Sequence, residues 1–376
     1  MTDYHKFDDI RPYRDDEIPA AMQRIAANSS FPLVAKFVFP ELTVEEAQEK
    51  VRGLKTIYDF QHDVMIPMNK QVLEGTISEF TLGGIEKLDT AKRYLYISNH
   101  RDIVLDSCIL MYALYRDGGH DTGEITFGSN LMQGELVVDI GKSNKMFRVD
   151  RGRNPRELYT TSVHLSEYIR YAITEKHQSV WIAQRNGRTK DGLDHTDQGL
   201  IKMFMMSGGK DRIRSLADLN IVPVSVSYEW ESCDILKALE LYASRDGKPY
   251  VKKPGEDLNS ILTGITQPKG RVHIEICQPL TAHDLSAIPA DCVEAQFRHA
   301  VAELMDKRIC GGYMLYPNAY IAHDMREGSS RFAHMYSDEQ LKAFKSRLSQ
   351  LEQYGTDPVL RDIFLGIYAN PIDNRQ

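Results

Sequence analysis

The sequence predicts a layered α/β fold built on a mainly parallel sheet, and three observations carry that expectation. From Tyr94 onward, short runs rich in β-branched and aromatic residues alternate with longer stretches of helical spacing, as strands joined by crossover helices do. The strand candidates are Tyr94–Ser98, Ile125–Phe127, Val180–Ala183, Ile221–Val226 and Val272–Cys277. Between the second and third lies a strongly signalled helix, with Asn154 as N-cap, Pro155 at the first helical position and Glu157 at the third.

Taken in order, residues 1–30 read as an irregular acidic arm followed by a short helix around Pro19 to Ala27. Phe31 to Pro40 is an apolar segment broken by Lys36. It reads either as packed on the core or as a surface contact. Thr43-Val-Glu-Glu46 forms a capping box, and the helix it opens is expected to bury Val44, Ala47, Val51, Leu54 and Tyr58. Helix is expected to continue through residues 59–82, until Leu82-Gly-Gly84 breaks it. The helix that begins at Asn154 is expected to turn Leu158, Val163, Leu165, Ile169, Tyr171 and Ile173 inward. Residues 185–199 form a long polar loop, of a length that is often functional. From Leu280 onward the text is mostly helical, with its clearest helix running from Ser337 to about Gln353. The chain is thus expected to divide into a mostly helical extension (1–85), an α/β catalytic domain (86–285) and a helical C-terminal extension packed on it (286–376).

Bulk properties narrow the function classes. A chain of 376 residues with 42% hydrophobic and 26% charged residues is ordinary for a soluble globular protein. A net charge of -7 argues against a nucleic-acid footprint over the whole surface. Cys108, Cys233, Cys277, Cys292 and Cys310 are scattered, without a Cys-x-x-Cys pair, as expected of structural thiols in a reducing compartment. The polar, acidic start carries no secretory signal, and no apolar run approaches the roughly 20 residues of a membrane span. A cytoplasmic protein is expected, with a peripheral place on a membrane left open.

The chemistry is expected at strand ends. Tyr94 to Ser98 delivers Asn99-His100-Arg101-Asp102 to the start of an apolar helix over Ile103–Tyr115, and ligands in open α/β sheets sit at the carboxyl ends of strands. A carboxylate beside an imidazole fixes its tautomer and stabilises the imidazolium, so His100 reads as a general base. It reads equally as a cap of the helix that follows. Phe147-Arg-Val-Asp-Arg151 would end in an arginine at the same sheet edge. Gln184-Arg185-Asn186-Gly187-Arg188 runs into a cation-rich turn, and the arginine fork suits phosphate oxygens. Ile221–Tyr228 is an apolar strand with Pro223 embedded in it. There is no Gly-x-Ser-x-Gly elbow, no Gly-x-x-x-x-Gly-Lys-Ser/Thr loop, no Gly-x-Gly-x-x-Gly and no zinc spacing among the twelve histidines.

Read together, these segments resemble the ordered motifs of the glycerolipid acyltransferase family, which includes the lysophosphatidate and glycerol-3-phosphate acyltransferases. Asn99-His100 with a following Asp resembles the first motif, His-x-x-x-x-Asp. Phe147 to Arg151 resembles the second, Asn186-Gly187-Arg188 the third (Glu-Gly-Thr-Arg), and Val222-Pro223-Val224 the fourth. Lys269 to Leu280 resembles the downstream strand with its Pro-Leu exit. The resemblance covers roughly residues 90–280. It implies an α/β sandwich with a mixed, mainly parallel sheet and a substrate groove open to the membrane surface.

It also implies acyl transfer from acyl-CoA or acyl-carrier protein to a hydroxyl of an anionic lipid precursor, with no bound cofactor. His100 would be the base, oriented by a carboxylate. Arg151 and Arg188 would hold the acceptor phosphate. Asn99, Arg101, Phe147, Arg185, Asn186, Gly187 and Pro223 are expected at the substrate site with them. Two departures stand out. His100 and Asp106 are separated by five residues, not four; Asp106 is the favoured partner, because Ser107-Cys-Ile-Leu110 then aligns with the apolar helix that follows the family's Asp, and Asp102 is the alternative. Asn186 stands where the family has Glu, which keeps the enzyme reading open beside that of a member that binds lipid without turnover.

Overall fold

The computed structural model describes residues 4–150, 152–247 and 250–375. Seven strands form one sheet: β1 (Ile77–Gly83), β2 (Leu95–Ser98), β3 (Glu124–Gly128), β4 (Met146–Val149), β5 (Val180–Ala183), β6 (Ile221–Tyr228) and β7 (Gly270–Ile276). Their spatial order is β1-β7-β6-β2-β5-β3-β4. β6, β2, β5, β3 and β4 run parallel, β7 lies antiparallel to β6, and β1 is parallel to β7. The sheet is therefore mixed but mainly parallel, and five carboxyl ends share one edge.

Alternation along the strands builds a core on each face. Tyr96 and Trp181 point toward the helices Ile66–Thr76 and Leu105–Gly118, where they join Leu73, Ile109 and Val272. Leu95, Ile97, Val180 and Ile182 point the other way, onto Tyr168, Ile169, Phe204 and Phe297. β6 is buried along its whole length, as a strand covered on both faces must be. Two satellite cores serve the chain ends. Ile18, Met22, Phe31 and Val51 form one, and Ile321, Phe344, Phe364 and Tyr368 the other.

Local signals explain many element boundaries. Thr43 and Glu46 satisfy each other's backbone donors as a capping box, and Asn154 Oδ1 accepts from the amides of Arg156 and Glu157. Three expectations need correction. Residues 77–83 are not helix but β1, an edge strand whose partner, β7, lies far along the chain. Tyr58 is 64% exposed rather than inward. Leu158 is also exposed, because the buried stripe of its helix runs through Ser166, Ile169, Ala172 and Ile173.

Candidate active site

The site begins where β2 ends. Ser98 is the last residue in register, opposite Ala183 on β5 and Val224 on β6. The Asn99 side chain then continues the ladder in place of a backbone: its Nδ2 donates to Val226 O at 2.9 Å, and its Oδ1 accepts from Val226 N at 2.8 Å. That amide is engaged on both sides and buried, so Asn99 holds the turn rather than a substrate. The next residue, His100, emerges at the shared carboxyl edge with its side chain 13% exposed.

Asp106, in the first turn of the helix Leu105–Gly118, is the partner of His100. Its Oδ2 lies 2.8 Å from His100 Nδ1 and also accepts from the amides of Arg101 (2.6 Å) and Asp102 (3.0 Å). Its Oδ1 accepts from the Tyr228 hydroxyl at 2.8 Å. Four donors on one fully buried carboxyl suit the ionised form, an acceptor only. The network therefore assigns the proton of neutral His100 to Nδ1 and leaves the Nε2 lone pair free. The residue extra to the four-residue spacing is absorbed in the turn. Asp102 makes that turn: its Oδ1 accepts from the amides of Val104 and Leu105, and its Oδ2 from Ser232 Oγ. Gly264 packs against it so closely that a Cβ there would come within 2.2 Å of Asp102 Oδ2. Asp102 is a capping residue, not the histidine's partner. The Trp181 ring stands edge-on to His100 at 5.7 Å, itself fixed by its Nε1 bond to Ser98 Oγ at 3.0 Å.

Tyr228 was not singled out by its sequence pattern, which reads as core. Burial, then the charges of Asp106 and Asp102, push its phenol well above its usual range. It therefore remains a donor to Asp106 wherever the protein is folded.

Arg101 also needs correction. It is fully buried and held by the chain itself, ion-paired to Asp194 and, at 3.2 Å, to Glu231, with its guanidinium 5.1 Å from the centre of the Tyr313 ring. Burial alone would lower its pKa, but Asp194 and Glu231 outweigh it and hold the guanidinium above its ordinary range. Arg101 has no open face for a ligand. It clamps the polar loop instead: Asp194 accepts from Thr189 Oγ1 at 2.7 Å, and Thr189 N donates to His100 O at 2.8 Å.

That clamp brings Arg188 to the site. The residue is nearly buried, and its Nη1 has no hydrogen-bond partner among the described residues. Burial, then the charge of Asp102, raises the pKa of the Cys233 thiol, and the Arg188 charge opposes them. Arg185 is half-buried, while Asn186 and Gly187 form the exposed apex. Gly187, at φ 75°, takes the left-handed backbone the turn requires. Phe147 is core, packed edge-on against Tyr168 at 4.9 Å, and Pro223 is buried inside β6 opposite Ile97. Neither reaches the edge where a substrate would sit. Arg151 lies outside the described residues.

His100 and Asp106 together can accept a proton at Nε2 and stabilise the imidazolium that results. Arg188 adjoins Thr189, whose amide donates to His100 O, and its buried Nη1 has no hydrogen-bond partner among the described residues. Residues 79–227 match the family model described as Acyltransferase. No curated protein matches the chain. Among solved structures, the 1-acyl-sn-glycerophosphate (LPA) acyltransferase PlsC from Thermotoga maritima is similar at 14% identity and a TM-score of 0.36, over 76% of this chain and 92% of that one. That likeness is too distant to carry weight. The family match spans β2 to β5 and includes both members of the His100–Asp106 pair.

Proposed function

We propose that this protein moves a fatty acyl group from an acyl thioester, acyl-CoA or acyl-carrier protein, to a hydroxyl of lysophosphatidate, glycerol 3-phosphate or a similar anionic lipid precursor. The observation that carries the reading is the 2.8 Å contact of His100 Nδ1 with the buried Asp106, which leaves Nε2 free at the strand edge. Nε2 would take the acceptor's hydroxyl proton as its oxygen attacks the thioester carbonyl. As the C–S bond breaks, the imidazolium returns that proton to the departing thiolate. The nucleophile belongs to the substrate, so the reaction needs no acyl-enzyme. Arg188 would hold the acceptor phosphate beside the base.

An acceptor with an acyl chain resides in a bilayer, and a peripheral contact at the inner face of the cell membrane completes the proposal. Within the described residues no helix is long and apolar enough to cross a membrane. The helix Phe31–Val38 buries Phe31, Ala35 and Val38 but leaves Leu33 76% and Phe37 40% exposed, with Lys36 beside them. Leu33 and Phe37 are the contact candidates. Phe39 is buried and is not one. Liposome flotation of Leu33→Asp/Phe37→Asp should lose bound protein; unchanged flotation contradicts this contact.

The activity itself is tested by an acceptor screen with both thioester types, read by mass spectrometry, on the native protein and on His100→Ala. An acylated acceptor that forms only with the native protein supports the proposal. Equal product with His100→Ala contradicts it. Asn186 supports a second reading, lipid binding without turnover, since the resembled motif carries Glu there. If the native protein and Asn186→Glu are both inert while binding acyl chains, that reading replaces the first.

A further inference from the structure

The polar loop 185–199, which carries Arg188, is held largely from outside residues 79–227, the segment that the family model matches. Lys190 pairs with Glu240 of the helix Asp234–Ser244. Asp191 O accepts from Asn370 Nδ2 at 2.7 Å, and Gly192 O from Asn374 Nδ2 at 3.3 Å, both on the helix Pro358–Asn374. Thr196 donates to Asp306 Oδ1 from its amide at 2.7 Å and from its hydroxyl at 2.6 Å, and Asp306 lies on the helix Glu294–Gly311. Gly192 lets the loop come that close. At φ 80° it takes a left-handed backbone, and a Cβ there would fall 2.5 Å from Ile367 O.

Asn370 is the tie with a second anchor. Its Oδ1 accepts from Arg326 Nη1 at 2.7 Å, a group that can only donate, while its Nδ2 meets Asp191 O, which can only accept. The orientation of the amide is therefore settled by its partners. Arg326 is held in turn by Asp362 at 3.0 Å, so the relay Asp362–Arg326–Asn370–Asp191 ends three residues from Arg188. Nη1 of Arg188 is unpartnered among the described residues. The backbone of the loop, rather than a bond at that nitrogen, sets where it points. Resting on the acyl-transfer reading above, we propose that Asn370 and Gly192 are positioning residues of the reaction: through them the helix Pro358–Asn374 fixes the loop that places Arg188 for the acceptor's phosphate beside His100. A loop that must be ordered as its ligand binds loses affinity, and a loop tied down beforehand escapes that loss.

The test uses the full chain and two variants that part the same contact from opposite sides. Asn370→Asp is nearly isosteric and keeps Arg326, but sets a carboxylate oxygen against Asp191 O. Gly192→Ala pushes the loop away from Ile367 O. Binding of glycerol 3-phosphate is measured by calorimetry in the native and in the Arg188→Met background, and KM is measured for acceptor and for acyl thioester. Each change alone should weaken glycerol 3-phosphate binding about tenfold, the worth of one hydrogen bond. The KM for acceptor should rise with it, and the KM for acyl thioester should stay near native. In the Arg188→Met background Asn370→Asp should weaken binding no further, because its effect passes through the arginine. A helix that only stabilises the fold would lower the denaturation midpoint and leave the affinity of the folded protein unchanged. That result, additive losses across the two backgrounds, or a native protein that does not bind glycerol 3-phosphate overturns the proposal. Coupled losses of affinity in a protein that transfers no acyl group sink the reading of the reaction and leave these ties in their positioning role.

Discussion

Replacing Asp106 with Asn probes the centre of the site with the smallest change of shape. The carboxyl is fully buried and accepts four hydrogen bonds, three at Oδ2 and one at Oδ1. An amide can serve only one side. With its oxygen toward His100, its NH2 group confronts the Tyr228 hydroxyl, and the charge that stabilises the imidazolium is gone. With its NH2 group toward His100, the imidazole must take the other tautomer, and Nε2 then carries a hydrogen where it should accept one. Either outcome removes a charge-assisted hydrogen bond, about 2 kcal/mol of stability. Loss of the oriented base should lower kcat by about 10²–10⁴. Thiol release from a thioester in the presence of acceptor gives kcat, and urea denaturation gives stability. Asp102→Asn is the control, because its Oδ1 role as a cap survives the change; it should keep kcat within about tenfold of native. A folded Asp106→Asn variant with near-native kcat, or a larger loss from Asp102→Asn, refutes the pairing.

Other expectations follow from the same geometry. Arg101→Met leaves Asp194 buried without its ion-pair partner, while Glu231 keeps Lys237 at 2.8 Å, and should cost about 3 kcal/mol in urea denaturation. Because Arg101 is enclosed by the chain, the KM for acceptor in the folded fraction should stay near native; a selective rise in that KM would restore it as a substrate contact. Lys269 is fully buried, with Nζ bonded to Gln267 O at 2.7 Å and Thr76 Oγ1 at 3.2 Å. Burial, against the pull of Asp102, brings it down to about 8. Between pH 8 and its ordinary value of about 10.4, the unfolded chain holds a proton that the native protein has shed, so stability rises with pH. Relative to Lys269→Met, the native protein should gain up to about 3 kcal/mol across that window. A flat difference contradicts a buried lysine with a lowered pKa.

Much of this architecture is written locally. Val180–Ala183 is a strand with the bounds its β-branched and aromatic residues suggest, and the Thr43 and Asn154 caps open helices where their side-chain chemistry places them. What was illegible depends on distant partners. Ile77, Phe80 and Leu82 match neither period cleanly, and their segment is a strand only because Gly270–Glu275 runs beside it. Arg101 reads as a ligand contact until Asp194 and Glu231, from remote segments, enclose it. Spacing alone left His100 with two carboxylates to choose from. The turn decided between them, because Asp102 is consumed by the amides of Val104 and Leu105 while Asp106 faces the imidazole. Tyr228 shows the reverse failure, a strand residue indistinguishable from core until the oxygen its hydroxyl meets is known.

The most direct test of the account is the rate of His100→Gln, which keeps a polar side chain of similar reach but cannot accept and release a proton near neutral pH. With acyl thioester and acceptor both saturating, and with folding confirmed by an unchanged denaturation midpoint, kcat should fall by about 10³-fold or more while thioester binding persists. A folded His100→Gln protein that acylates its acceptor at the native rate would contradict the assignment of His100 as the base.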